Sequence, residues 1–161
     1  MPDKSSPFGG KMRVRVNGLI FRGESVLLVK NRKFKGDEPF WIPPGGGLEF
    51  GETLHQALVR EVLEETHLQV KSASLWYVSE YVQPPWHAVE FYFHCSEWEG
   101  DVVLGSDPEL SDHDQLLQAA EFVPLNDLHN RRIIPAYLLE HLAIDVQAGR
   151  SEPLYLPQNP V

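Results

Sequence analysis

Three glutamates define the chemistry this sequence can do. Glu61, Glu64 and Glu65 lie in residues 53–66, where Leu54, Ala57, Leu58 and Val62 recur at three- and four-residue spacing and Thr53 with Gln56 fits a capping box. The pattern predicts a helix. At about 100° per residue, counted from Leu54, Glu64 falls at about 280°, Glu61 at about 340° and Glu65 at about 20°, so the three carboxylates share an arc of roughly 100°. Glu61 and Glu65 repel across one turn, and Glu64 and Glu65 occupy the last turn, where the helix dipole disfavours each anion by about 0.3 to 1 kcal/mol. A sequence shaped by helix stability alone avoids both placements. A hard divalent cation, Mg²⁺ or Mn²⁺, turns them to use, because it takes carboxylate oxygens and backbone carbonyls and keeps waters that a phosphate can displace.

The residues before the helix add to this set. Gly45, Gly46 and Gly47 let backbone come close to a ligand or metal where a Cβ would intrude, and Glu49 and Glu52 supply two further carboxylates. Arg60, at about 240° and beside Glu64 on the wheel, is placed to hold one acid by a charge-assisted hydrogen bond. Three acids on a helix can also be a solvated face and nothing more. The adjoining glycine loop weighs against that reading.

From Gly46, five residues lead to Glu52 and seven more to Arg60-Glu61-Val62-Leu63-Glu64-Glu65-Thr66-His67-Leu68. This run closely resembles the box of the Nudix (MutT-like) family, G-x5-E-x7-R-E-U-x-E-E-x-G-U with U aliphatic, and residues 41–52 resemble the stretch that leads into it. Every defined position matches except one, where His67 replaces the family glycine. That glycine commonly supplies a left-handed residue after the helix, a conformation that histidine adopts at modest cost. The expectation is therefore a small stability penalty with the chemistry retained. A sensor that binds nucleotides without turnover is the alternative, and an isomerase of the isopentenyl diphosphate type is a further rival on the same fold.

The resemblance implies an α+β Nudix fold, an αβα sandwich with a mixed β-sheet between helices. It implies hydrolysis of a pyrophosphate bond in a nucleoside diphosphate linked to another moiety. Glu61, Glu64 and Glu65 would bind the divalent cations, with a carbonyl of Gly45 or Gly46 as a further ligand, while Glu52 and Arg60 support loop and helix. The general base would be a box acid, Glu61 or Glu65, or one of the distant candidates Glu109, Asp112, Asp114 and Glu121. A proline at position 84, sixteen residues past the box, resembles the ADP-ribose-hydrolysing subgroup. An oxidised nucleoside triphosphate is the other substrate type.

Substrate choice lies outside the box. Arg32 belongs to a basic run with Lys30, Lys33 and Lys35 that could meet an anion, and Trp86 could stack a base. Glu90 follows Trp86 closely, and these three are the candidate substrate-binding residues. Trp76 is expected to pack in the core, and Cys95 to be buried rather than nucleophilic.

Several elements must position these groups. Met12, Val14 and Val16 alternate with Arg13, Arg15 and Asn17, a half-buried strand that Gly18 to Phe21 extends, and Val26 to Val29 is a second strand, so the two are expected to form a hairpin. Pro43-Pro44-Gly45-Gly46-Gly47 is expected as a shaped loop. Residues 68–81 and 89–95 have strand composition, with a turn at 83–86. Residues 101–114 look like a mobile acidic loop, 121–124 a short strand, and 134–147 a closing helix ended by Gly149. Residues 1–10 are expected as a flexible arm, 11–150 as a single domain and 151–161 as an extended tail.

Composition bounds the function classes. The chain has 161 residues, enough for one sizeable core, and 14 Lys and Arg against 23 Asp and Glu give a net charge of −9. Such a balance argues against a duplex-DNA partner, which needs a concentrated basic face, and favours a small nucleotide-derivative substrate. A single cysteine excludes an intrachain disulfide and thiolate zinc sites, and no leader or membrane span is visible, so the expected location is cytoplasmic. Homodimers are frequent in the family, and the acidic surface does not forbid one. Five of the 23 acids, Glu49, Glu52, Glu61, Glu64 and Glu65, fall within 17 residues around the glycine loop.

Overall fold

In a computed structural model, residues 10–32, 38–84, 86–106 and 115–157 are described. Glu109, Asp112 and Asp114 lie outside the described residues. The elements are β1 (Met12–Leu19), β2 (Phe21–Arg22), β3 (Ser25–Asn31), β4 (Phe40–Ile42), β5 (Gly45–Gly47), α1 (Leu54–Thr66), β6 (Gln69–Gln83), β7 (Trp86–Glu99), β8 (Ala119–Pro124), a 3₁₀ turn (Leu125–Asn130), α2 (Leu138–Ala148) and β9 (Leu154–Leu156). A five-stranded mixed sheet runs β5-β1-β7-β6-β9, and in a second sheet β3 pairs with β2, β4 and β8.

The alternation in β1 sorts its side chains between two layers. Val16 joins Leu58, Val62 and Cys95 in the core under α1. Tyr92, opposite Asn17 in the parallel β1–β7 register, joins Tyr77, Leu138 and Leu142 in the core under α2. The mixed sheet is thus the middle layer of an αβα sandwich. Gly18 makes the α1 contact close, since a Cβ there would stand 3.0 Å from Val62.

Four expectations are corrected. The long hairpin is reduced to β2–β3, because β1 pairs with β7 and β5 instead, and the chain changes sheet at Ile20. Leu19 and Ile20 are both fully buried and belong to different cores, which explains why the apolar run loses its alternation there. The glycine loop is an edge strand, β5, with Gly45, Gly46 and Gly47 opposite Asn17, Val16 and Arg15. An edge strand needs only one hydrogen-bonded side, and a Cβ on Gly45 would stand 2.0 Å from the Val16 carbonyl oxygen. Next, α2 starts at Leu138 rather than 134, since Ile134 N–H donates to Trp41 O at 2.9 Å and the Trp41 N–H donates to Arg132 O at 2.8 Å, which holds this stretch extended beside β4. Finally, the described part of the acidic loop, 101–106, is tied to α1, as detailed below. Residues 154–156 add a parallel edge strand to β6.

Candidate active site

The helix that carries the acids is fixed at both ends. Gln56 N–H donates to Thr53 Oγ1 at 3.2 Å and Thr53 N–H to Gln56 Oε1 at 2.9 Å, completing the capping box. At the other end His67 is left-handed, φ 61° and ψ 10°, and its N–H donates to Leu63 O at 2.9 Å. The substitution of the box glycine therefore leaves the glycine conformation in place.

Arg60 organises the acids around it. Its Nε and Nη2 donate to the two Glu52 oxygens at 2.8 and 2.9 Å, a bidentate pair, and Nη2 also donates to Gly47 O at 3.0 Å. Nη1 reaches Glu61 at 2.9 Å and Glu64 at 3.4 Å. Glu52 also accepts from the Glu49 N–H at 3.0 Å. Arg60 and this amide together bring the Glu52 carboxyl down to about 2. Glu61 moves the other way: burial raises its proton affinity, and the Arg60 guanidinium only partly offsets it.

The glycine strand meets the acids directly. Glu65 Oε2 accepts the Gly45 N–H at 2.9 Å, and a Cβ on Gly46 would fall 2.3 Å from Glu61 Oε1. Gly46 is therefore a cradle for the Glu61 carboxylate. An alanine there would displace a flexible side chain end and leave the backbone undisturbed, so its cost falls on the site and not on the fold.

These residues suit a hard cation by their chemistry: carboxylate oxygens from Glu61, Glu64 and Glu65, beside a strand whose backbone is open to close approach. Among the described residues, no three carboxylate, imidazole or thiol groups already converge on one point. The reason is visible in the bonds above, since Glu61 and Glu64 are turned to Arg60 and Glu65 to Gly45.

The other candidates are dispersed. Glu121 lies on β8 in the second sheet, exposed and paired with Arg131 at 3.6 Å. Arg32 follows β3 in the same sheet, its N–H donating to Asn31 Oδ1 at 2.7 Å. Trp86 opens β7 opposite Gln83. Trp76 is buried beside His94, the rings tilted at 30° with centroids 4.3 Å apart, and Cys95 is buried with its thiol pushed up to about 12, as expected for core residues.

Glu90 leads to a region that the sequence did not reveal. On β7 it pairs with Arg15 at 3.5 Å and accepts the Tyr92 hydroxyl at 3.1 Å. Register places Arg15, Glu90 and Ser79 in one row across the sheet, and Asn17, Tyr92 and Tyr77 in the next. Asn17 and Ser79 are fully buried, and among the described residues neither Asn17 amide atom has a hydrogen-bond partner, while the Ser79 hydroxyl interacts with that of Tyr137. The Tyr137 ring meets Tyr92 edge-on at 6.1 Å, and its hydroxyl interacts with those of Ser79 and Tyr92. Strand alternation made Asn17 look like an outward polar residue, yet it is fully buried on the face where its cross-strand neighbour Tyr92 packs under α2.

A profile of the NUDIX domain matches residues 11–142. The chain belongs to the NUDIX family. It is 36% identical over 119 residues to an ADP-ribose pyrophosphatase of Methanocaldococcus jannaschii, covering 71% of this chain and 63% of that protein. It is also 36% identical over 104 residues to the NAD-capped RNA hydrolase NudC of Pectobacterium carotovorum, covering 62% of this chain and 38% of the relative. The NUDIX chain thus spans less than two thirds of the length of either curated relative. Among solved structures, a NUDIX hydrolase from Nitrosomonas europaea superposes with a TM-score of 0.67 at 26% identity, over 89% of this chain and 94% of that one. No helix among the described residues is long and apolar enough to cross a membrane.

Proposed function

We propose that this NUDIX chain hydrolyses a pyrophosphate bond in a small nucleotide derivative with the help of Mg²⁺ or Mn²⁺. The observation that carries this reading is the seating of the Glu61 carboxylate on Gly46, with Glu65 bonded to Gly45, which brings the box acids onto the glycine strand. Glu61, Glu64 and Glu65 would hold the cation, with a carbonyl of Gly45 or Gly46 beside them. The cation supplies charge neutralisation at the diphosphate and lowers the pKa of water. The chain's own residues do the rest. Arg60 and Glu52 lock the approach to α1 against the glycine strand, and Glu61 or Glu65 takes the proton of the attacking water. Glu121, on β8 and paired with Arg131 at 3.6 Å, is the described distant candidate for the same role.

ADP-ribose is the favoured substrate, since the pyrophosphatase of M. jannaschii is similar over most of this chain, and an NAD-type cap is the second choice. The proposal includes a cytoplasmic location, which suits a buried free thiol at Cys95.

A substrate panel with Mg²⁺ or Mn²⁺ tests the reading: ADP-ribose, NAD-capped RNA, nucleotide sugars and oxidised nucleoside triphosphates, on wild type and on Glu64→Gln with Glu65→Gln. We expect turnover of ADP-ribose that the double variant lowers by at least roughly 100-fold, in line with removal of groups that orient a metal. Equal behaviour of the two proteins on every compound would overturn it.

A further inference from the structure

The end of α1 is clamped by a segment remote in sequence. The Val103 N–H donates to Thr66 O at 3.0 Å and the Gly105 N–H to Glu65 O at 2.8 Å, so two carbonyls that the helix cannot satisfy itself are paired by loop amides. Gly105 lies so close that a Cβ on it would stand 1.7 Å from Glu64 O. His67 closes the arrangement: its Nδ1 lies 3.1 Å from Val103 O. A carbonyl only accepts, so Nδ1 carries the proton and the imidazole donates. A glycine at position 67, the residue of the box pattern, has no side chain with which to make this bond.

We propose that His67 is a positioning residue, which ties Val103 to Gly105 across the last turn of α1 and thereby sets the helix turn that carries Glu64 and Glu65. The left-handed backbone at position 67 is needed to end the helix; the imidazole adds a hold on the loop that the backbone alone does not provide. The bonded carbonyls belong to Glu65 and Thr66, and the packed one to Glu64, so any loosening of the loop reaches the turn with both acids. This rests on the proposed role of Glu64 and Glu65 as cation ligands.

Two variants separate the imidazole from the backbone. His67→Gly keeps the left-handed conformation and deletes the donor. His67→Asn also tolerates that conformation, and its side-chain amide nitrogen occupies the place of Nδ1. Amide exchange at Val103 and Gly105, measured without metal, should be roughly tenfold faster in His67→Gly, the effect of about one hydrogen bond, and return toward wild type in His67→Asn. Titration with Mn²⁺, followed by its electron paramagnetic resonance signal, should show affinity weakened roughly tenfold in His67→Gly and restored in His67→Asn, as for other groups that orient a ligand. Gly105→Ala, which drives a methyl group into Glu64 O, should give the same two changes with the imidazole intact.

Unchanged exchange in His67→Gly overturns the clamp. Faster exchange with unaltered Mn²⁺ affinity overturns its link to the acids. Glu64→Gln with Glu65→Gln then shows where the fault lies: if that protein binds Mn²⁺ as wild type does, the ligand assignment has failed, and if it does not, the clamp has.

Discussion

The two faces of the mixed sheet treat their polar groups in opposite ways. On the α1 side, Arg60 gathers Glu52, Glu61 and Glu64, and the Gly45 amide holds Glu65, so the polar groups are bonded within the chain. On the α2 side, Asn17 buries both amide atoms without a partner among the described residues, although nearby the Tyr77 hydroxyl donates to Asp145 at 2.6 Å and Arg150 to Asp145 at 2.9 Å. Burying an amide without a partner costs about 1 to 3 kcal/mol, so Asn17 is a burden that the bonded side does not carry. Bonded acids hold a shape, whereas an unbonded buried amide only lowers stability.

Breaking the bonded side should give the largest effect. Arg60→Ala removes the bidentate pair with Glu52 and leaves the half-buried Glu61 without its cation, which should cost on the order of 3 kcal/mol in urea unfolding. Arg60→Lys should recover little of this, because an ammonium cannot reproduce the planar fork that meets both Glu52 oxygens and the Gly47 carbonyl. Full rescue by lysine would mean that charge alone, and not geometry, organises this side.

The unpartnered side predicts a change of opposite sign. Asn17→Leu replaces two buried unbonded polar atoms with apolar ones of similar size, and should raise stability by about 1 to 2 kcal/mol in urea unfolding. A loss of stability in this variant would place firm hydrogen-bond partners, such as ordered water, on Asn17 in the folded chain, and the contrast between the faces would disappear.

The bonded side was far more legible in the sequence than the other, for a physical reason. The acids, Arg60 and the glycines lie within a short stretch, and helix periodicity together with a capping box is enough to put them on one face. His67 could be expected as a left-handed residue because it stands where the resembling box has its glycine after the helix. The strands were located to within a few residues, but their partners were not, since pairing of β1 with β7 depends on contacts some 75 residues apart. For the same reason the clamp at Val103 and Gly105 and the burial of Asn17 were invisible, as each is made by a segment distant in the chain. The glycine strand was missed because its edge position, which excuses the lack of side chains, is a property of the sheet and not of the residues.

A smaller effect separates two acids bonded to the same guanidinium. Glu52 titrates at about 2 in the folded chain against its usual 4.5, so its contribution to stability is complete above 4.5 and is lost as pH falls from there toward about 2. Glu61 has the reverse sign. Its folded value is raised, so the folded chain takes up that proton more readily than the unfolded one, and stability is gained as pH falls through the raised value down to 4.5. The urea midpoint of wild type should therefore rise slightly on mild acidification and then drop below 4.5. Glu61→Gln should abolish the rise and keep the drop, whereas Glu52→Gln should weaken the drop. If both variants flatten the same limb of the profile, the two carboxylates titrate as one unit through Arg60, and the distinction between a solvated and a buried carboxylate within this side no longer holds.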